Sequence, residues 1–393
     1  MMILLLCALL SFAAAQTGDN LDDLLSQSFT KPPETTAGAD NKNPARPEIS
    51  TVTTSRDGCE CVPHYLCSNK TVITDGMGII DIAITDEPCH YLSVCCYPQY
   101  MVTEPITPAP PIDKPKGCGV HNPDGVDLRI NGKDNESQFG EFPWVVAVLR
   151  EEAVEGNKQN LLIYQCGASL IHPQAVLTSA HCVTGKDKKY QIRAGEWDTQ
   201  TKNELFPHQD RAVKTIIIHP EYYAGALFND VAVLILDSPL EIAENVDSVC
   251  LPEQGLVTEN ARCFTTYWGK DVFGQKDKYQ VILKKLDLPI VPRDTCQELL
   301  RRTRLGQHFK LHTSFICAGG EAGEDRCAGD GGSALVCPIP SHPGKYYQAG
   351  IVAWRIDCGG NQVPGVYASV AQFRKWIDEQ LDAHHLDKSS YTY

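Results

Sequence analysis

Val231-Ala232-Val233-Leu234-Ile235-Leu236 is a short, wholly apolar run. Val145-Val146-Ala147-Val148-Leu149 and Gln348-Ala349-Gly350-Ile351-Val352-Ala353 have the same texture, and Gly, Pro and Asn separate such runs along the chain. The pattern predicts the buried strands of an all-β barrel. It begins at Cys118 and continues to about residue 383, where Phe373 to Leu381 carries helical spacing and closes the domain. Residues 384–393 follow as a C-terminal tail.

Upstream of Cys118 the texture changes. Residues 98–117 include Thr103-Glu104-Pro105-Ile106-Thr107-Pro108-Ala109-Pro110-Pro111, a semi-rigid proline-rich linker. Before it, residues 57–97 hold Cys59, Cys61, Cys67, Cys89, Cys95 and Cys96. So small a module cannot be held by burial alone and needs covalent staples. Spacing leaves all of the roughly fifteen pairings of six cysteines open. Zinc ligation is disfavoured by the adjacency of Cys95 and Cys96 and by a secretory context. Residues 16–56, rich in Asp, Thr, Pro and Asn, read as a disordered polar extension. Residues 1–15 form a short apolar core ending in Ala13-Ala14-Ala15, a secretory signal without the usual basic start.

Of 17 cysteines, Cys7 leaves with the signal, and the even remainder predicts eight disulfides in an oxidising compartment. No other stretch reaches the ~18 consecutive apolar residues of a membrane span. The formal charge of -14 opposes nucleic acid or an anionic membrane as partner. A secreted, extracellular protein is expected.

Three further stretches carry chemistry: Thr178-Ser179-Ala180-His181-Cys182, Asn229-Asp230-Val231, and Cys327-Ala328-Gly329-Asp330-Gly331-Gly332-Ser333-Ala334. They resemble the histidine, aspartate and nucleophile motifs of trypsin-type serine proteases. In that family the histidine takes a proton from a serine hydroxyl while the aspartate fixes its tautomer. The family writes Gly-Asp-Ser-Gly-Gly-Pro where this chain writes Gly329-Asp330-Gly331-Gly332-Ser333-Ala334, and Gly331 has no hydroxyl. Gly140-Glu141-Phe142-Pro143-Trp144, Cys166-Gly167-Ala168-Ser169, Val249-Cys250-Leu251-Pro252, Trp268-Gly269 and Pro364-Gly365-Val366-Tyr367 extend the likeness. Over 118–383 it implies a chymotrypsin-like double β-barrel with the site between the barrels. It also implies bridges Cys118–Cys250, Cys166–Cys182, Cys263–Cys337, Cys296–Cys317 and Cys327–Cys358.

The six-cysteine module resembles the clip domain of arthropod protease zymogens, which implies Cys59–Cys95, Cys61–Cys89 and Cys67–Cys96. As a whole the chain resembles the clip-domain serine protease homologues of insect haemolymph, a non-catalytic group with glycine at the nucleophile position. His181, Asp230 and Gly331 then form a vestigial triad. Asp325 stands at the base of the specificity pocket, where Arg326 or Arg355 would neutralise it and fill the space of a basic substrate side chain.

Glu196 to Glu204 resembles the family's calcium loop, with Glu196, Asp198, Thr201 and Glu204 as the ligand set, and an acidic surface loop as the alternative. Calcium is the one cofactor this raises, and none is required. Asn69-Lys70-Thr71 and Asn135-Glu136-Ser137 are glycan acceptor sequences. Arg129-Ile130-Asn131-Gly132 lies near the family's activation cut but departs from its pattern, and cleavage in or near the clip module is the competing possibility.

The resemblance implies a cofactor that assists the activation of prophenoloxidase in melanisation and innate immunity. Its partners would be prophenoloxidase, the activating clip-domain protease, an upstream trypsin-like protease that cuts it, and further copies of itself. The alternatives are a divergent endopeptidase using Ser333, or an adaptor that recognises microbial surfaces or immune proteins. Ser333 lies two residues from the vacancy on a tight turn, a displacement that aims its side chain elsewhere.

Overall fold

The computed structural model describes residues 60–63, 66–67, 80–82, 93–101, 117–126, 128–130, 135–153, 160–185, 188–199, 204, 206–268, 282–321, 330–356 and 363–393. In the cysteine-rich module, β1 (Glu60–Pro63), β2 (Ile80–Ile82) and β3 (Ser93–Cys96) come first. β1 pairs antiparallel with β3, with Cys61 opposite Cys95. Cys67 is bonded to Cys96, and Val62 packs with these two cysteines in a small core of their own. Cys61 and Cys95 are disulfide-bonded as well, while Cys59 and Cys89 lie outside the described residues. β2 pairs in parallel with β4 (Leu128–Ile130), which places Asp81 opposite Arg129.

The rest folds as two closed six-stranded barrels. The first contains β5 (Val145–Ala153), β6 (Asn160–His172), β7 (Ala175–Thr178), β8 (Lys189–Ala194), β9 (Gln209–Ile218) and β10 (Ala232–Leu236), in the order β10-β7-β6-β5-β8-β9. The second contains β11 (Arg262–Tyr267), β12 (Lys284–Val291), β13 (Phe315–Ala318), β14 (Ala334–Pro338), β15 (Tyr346–Trp354) and β16 (Gly365–Ser369), in the order β11-β12-β13-β16-β15-β14. Closure leaves neither sheet with an unpaired edge.

The founding run shows why these strands carry no polar face. Along β10, Ala232, Leu234 and Leu236 join one buried cluster with Val146, Val148 and Ile192. Val233 and Ile235 point the other way, into a cluster that also holds Trp144, Phe264, Ala334 and Ile351. Side chains alternate across a strand, so a run buried on both faces must be apolar throughout. Each such valine or leucine contributes about 1.5–3 kcal/mol. Because the second cluster draws on both barrels, it sets their mutual position. A buried polar bond, Ser169 Oγ donating to Gln348 Oε1 at 2.6 Å, pins the same contact.

Between β12 and β13 lies α1 (Arg293–Arg301), and α2 (Val370–Ala383) follows β16. α2 buries Val370, Phe373, Ile377 and Leu381 at helical spacing against the shared cluster. The structure carries the domain past residue 383. His385 adopts φ 57°, the chain doubles back, and fully buried Tyr391 enters the shared cluster. Tyr391 donates its hydroxyl to Asp378 at 2.8 Å, and its carbonyl accepts from Leu251 N–H. Two tyrosines in a polar stretch have no periodicity to announce this.

Candidate functional site

His181 sits in a single 3-10 turn, Ala180–Cys182, directly after β7. Ser179 ties that turn to the second barrel by donating Oγ to the Val352 carbonyl at 2.8 Å. Asp230 lies two residues before Ala232, where β10 begins, and is fully buried. Its Oδ1 accepts the His181 backbone N–H at 2.8 Å, and its Oδ2 lies 2.6 Å from His181 Nδ1. Two bonds from one carboxylate fix both the turn and the ring, and Nε2 faces away from Asp230. The imidazole side chain keeps 28% exposure, so it is reachable from solvent.

Residue 331 lies against that nitrogen. A Cβ placed on Gly331 would stand 2.7 Å from His181 Nε2 and 3.2 Å from Cε1. The ring therefore occupies the space that any side chain at this position would need. Gly332, at φ +83°, is confined more tightly: a Cβ there would collide with the Gly167 carbonyl and with Thr178 Oγ1. The loop is held to β6 by Gly167 N–H donating to the Gly331 carbonyl at 3.0 Å.

Ser333 is buried with its hydroxyl against Gly167, where an added Cβ would collide with Oγ. Among the described residues no hydrogen bond joins it to His181. Asp330 is gripped from the β6 side. Its Oδ2 accepts the Tyr164 hydroxyl at 2.7 Å and the Trp268 backbone N–H at 2.8 Å. Burial, and then the charge and hydrogen bond of Asp330, push the Tyr164 hydroxyl well above its usual pKa, so it stays a donor. Nothing in the sequence singled out Tyr164, two residues before Cys166 on β6.

Bridges join Cys118 to Cys250, Cys166 to Cys182, Cys263 to Cys337, and Cys296 to Cys317. Cys327, Cys358, Asp325 and Arg326 lie outside the described residues, as do Thr201 and Asn69. Arg355 is half-buried just beyond β15, and Asn135 is exposed in a turn at φ 67°.

The acidic loop is more buried than a surface loop. Glu196 and Asp198 are both buried. Glu196 Oε2 is met by Arg193 Nη1 at 3.2 Å and by His208 Nδ1 at 3.0 Å. Arg193 also forks onto Asp210, with Nε and Nη2 each at 2.8 Å. Glu204 donates no charge cheaply here: burial, then the charges of Glu196 and Asp198, push its carboxyl up to about 9. Glu196, Asp198 and Glu204 offer the oxygen donors a hard divalent cation takes, and Glu196 already meets Arg193 and His208.

Comparison with known proteins agrees with this geometry. The trypsin family profile matches residues 131–377, and a profile described as serine protease clip domain PPAF-2 matches residues 49–97. The chain is 52% identical over 299 residues to phenoloxidase-activating factor 2 of Galleria mellonella, covering 74% of this chain and 98% of that protein. It is 38% identical over 329 residues to inactive CLIP domain-containing serine protease A8 of Anopheles gambiae, covering 82% and 88%. Inactive CLIP domain-containing serine protease A28 of the same mosquito is 37% identical over 352 residues, covering 84% and 91%.

Proposed function

This chain belongs to the trypsin family and carries a serine protease clip domain, and on that premise we propose that it is a secreted, non-catalytic protease homologue acting as a cofactor in the proteolytic activation of prophenoloxidase. One observation carries the non-catalytic part: His181 Nε2 faces Gly331, which has no hydroxyl to give up. His181 and Asp230 persist as a hydrogen-bonded pair, the carboxylate buried and the imidazole partly exposed. The names of its relatives, a phenoloxidase-activating factor and inactive clip proteases, support the pathway.

Cleavage by an upstream trypsin-like protease would act by releasing a binding surface. Arg129 lies in β4, paired to β2 of the clip module, so a cut at Arg129–Ile130 loosens that pairing. Cys118–Cys250 keeps the N-terminal part attached. In a mixture of prophenoloxidase and its activating protease, the cleaved protein should raise melanin-forming activity and the intact protein should not. Equal activity with and without the cleaved form would remove the cofactor reading and leave the recognition adaptor. An endopeptidase using Ser333 is disfavoured by the burial of that hydroxyl against Gly167.

Calcium would bind through the carboxylates of Glu196, Asp198 and Glu204, with Thr201 completing the set. Without it, the Glu204 carboxyl is neutral in the fold and charged in the unfolded chain between its ordinary 4.5 and about 9. The unfolded chain then binds fewer protons, so stability falls as pH rises through that window. In chelator, Tm should drop from acid to alkaline pH, and millimolar calcium should remove the drop by binding the folded state. Glu204→Gln should flatten the chelator profile and abolish the calcium effect. Identical pH profiles with and without calcium would point to a plain acidic loop.

A further inference from the structure

Charge is divided unevenly over the two barrels. Residues 237–261 carry six acids and no Lys, Arg or His, whereas residues 299–320 carry Arg301, Arg302, Arg304, Lys310 and two histidines and no acid. In the turn that follows α1, Arg302, Arg304 and Lys310 are exposed. Arg301 anchors that turn, with Nε donating to the Phe309 carbonyl at 2.9 Å and Nη1 to Glu298 at 2.6 Å. An apolar face reaches solvent beside it: His312 stacks on Phe228 at 4.1 Å, and Phe228 carries Tyr223, which is 59% exposed. In the acidic stretch, Glu253 and Glu259 are exposed and flank Leu256 and Val257, the latter 72% exposed. Gln254 Nε2, donating to the Gln372 carbonyl at 3.0 Å, pins this loop to α2. The bases of α2 beside the loop are engaged, Arg374 with Asp378 at 2.9 Å and Lys375 with Glu379 at 4.0 Å. Among the described residues Arg302, Arg304, Lys310, Glu253 and Glu259 form no ion pair, so both surfaces keep their charge uncompensated.

We propose that these two surfaces bind one another between copies of this chain. The loop of Glu253 and Glu259 on one copy docks on the basic turn of the next, with Leu256 and Val257 against Tyr223. Opposite charges steer the encounter and fix its register, and burial of the apolar side chains holds it. The formal charge of -14 repels whole copies, but salt confines each charge to about 8 Å, so the facing patches decide the contact. A sulfated or phosphorylated polymer would engage the arginines and leave Tyr223 and Val257 without a role. Arginine and tyrosine together are the composition of a protein contact. Because the two surfaces are different parts of one chain, the contact is heterologous. Each copy keeps a loop or a turn for a further copy, and assembly grows with concentration unless a ring closes.

Sedimentation velocity of the full mature protein, uncut, tests this with a readout of mass and not of cofactor activity. The parent should associate as its concentration rises, and the association should weaken about tenfold or more between about 0.05 and 0.5 M salt. Arg302→Glu with Arg304→Glu, and separately Glu253→Lys with Glu259→Lys, should each sediment as monomer. Mixed one to one, the two variants should associate again, because the native loop of the first meets the native turn of the second. Val257→Ser, which changes no charge, should weaken the parent's association by about fivefold. All the substituted residues are exposed, so the fold should remain, as circular dichroism checks. A parent that stays monomeric at every concentration, whether or not it binds heparin, would overturn the proposal. So would association that survives either charge reversal, or a mixture that stays monomeric.

Discussion

Gly331→Ser is expected to restore no trypsin-like turnover. A serine hydroxyl that reaches its histidine is worth on the order of 10⁶ in kcat, and the expected gain here is within about tenfold of the parent's background. The reason is steric before it is chemical. The new Cβ would stand 2.7 Å from Nε2, inside van der Waals contact, so either the ring or the loop must move. The ring is held through Nδ1 by one oxygen of buried Asp230, whose other oxygen holds the His181 backbone N–H. The loop is held by Gly167 N–H on the Gly331 carbonyl and by Ser333 N–H on the Asp330 carbonyl, both at 3.0 Å. Moving the ring breaks the support for the base, and a base must stand within about 3 Å of the proton it takes. A trypsin-like rate on peptides with Arg or Lys before the scissile bond would show that the site relaxes freely and that the clash is not what silences it.

Arg193→Leu should be the most destabilising single change in the first barrel, by about 3–5 kcal/mol, because removing one partner of a buried ion pair strands the other. Arg193 and Glu196 each have side chains only 2% exposed. The guanidinium also satisfies both oxygens of Asp210. For a domain of this size the loss corresponds to a Tm lower by ~10 °C or more. Arg193→Leu combined with Glu196→Gln should recover part of it, since the stranded charge is gone. Chemical denaturation of the three proteins measures this directly. A loss under about 1 kcal/mol for the single variant would mean water reaches Glu196 and that the pair behaves as a surface bridge.

The two-barrel fold was legible because it rests on local repetition. Val231 to Leu236 is apolar at every position for the same reason that it is buried on both faces, and Phe373 to Leu381 carries the spacing of the helix Val370–Ala383. Tyr391 was not legible, since its burial depends on a turn at His385 and on a cluster assembled from distant strands. The same division runs through the site. His181, Asp230 and Gly331 stand in short stretches that are read residue by residue. Tyr164 and Asp330 are 166 positions apart, and only barrel closure brings a hydroxyl on β6 to that carboxylate. The sequence reading already aims the Ser333 side chain away from the vacancy; that it comes to rest against Gly167, beside Gly332 at φ +83°, is a property of the folded chain. The collision between a side chain at 331 and the ring of His181 is likewise a property of distance.

The central claim is that a protease scaffold stands here without a nucleophile, and labelling with a fluorophosphonate probe tests it most directly. The mature protein, intact and after limited cleavage by a trypsin-like protease, would be exposed to the probe beside the Ser333→Ala variant and an active trypsin-type control. The account predicts no label on either form while the control reacts. Label that appears on the parent and disappears in Ser333→Ala would contradict it, by showing that His181 activates a hydroxyl after all.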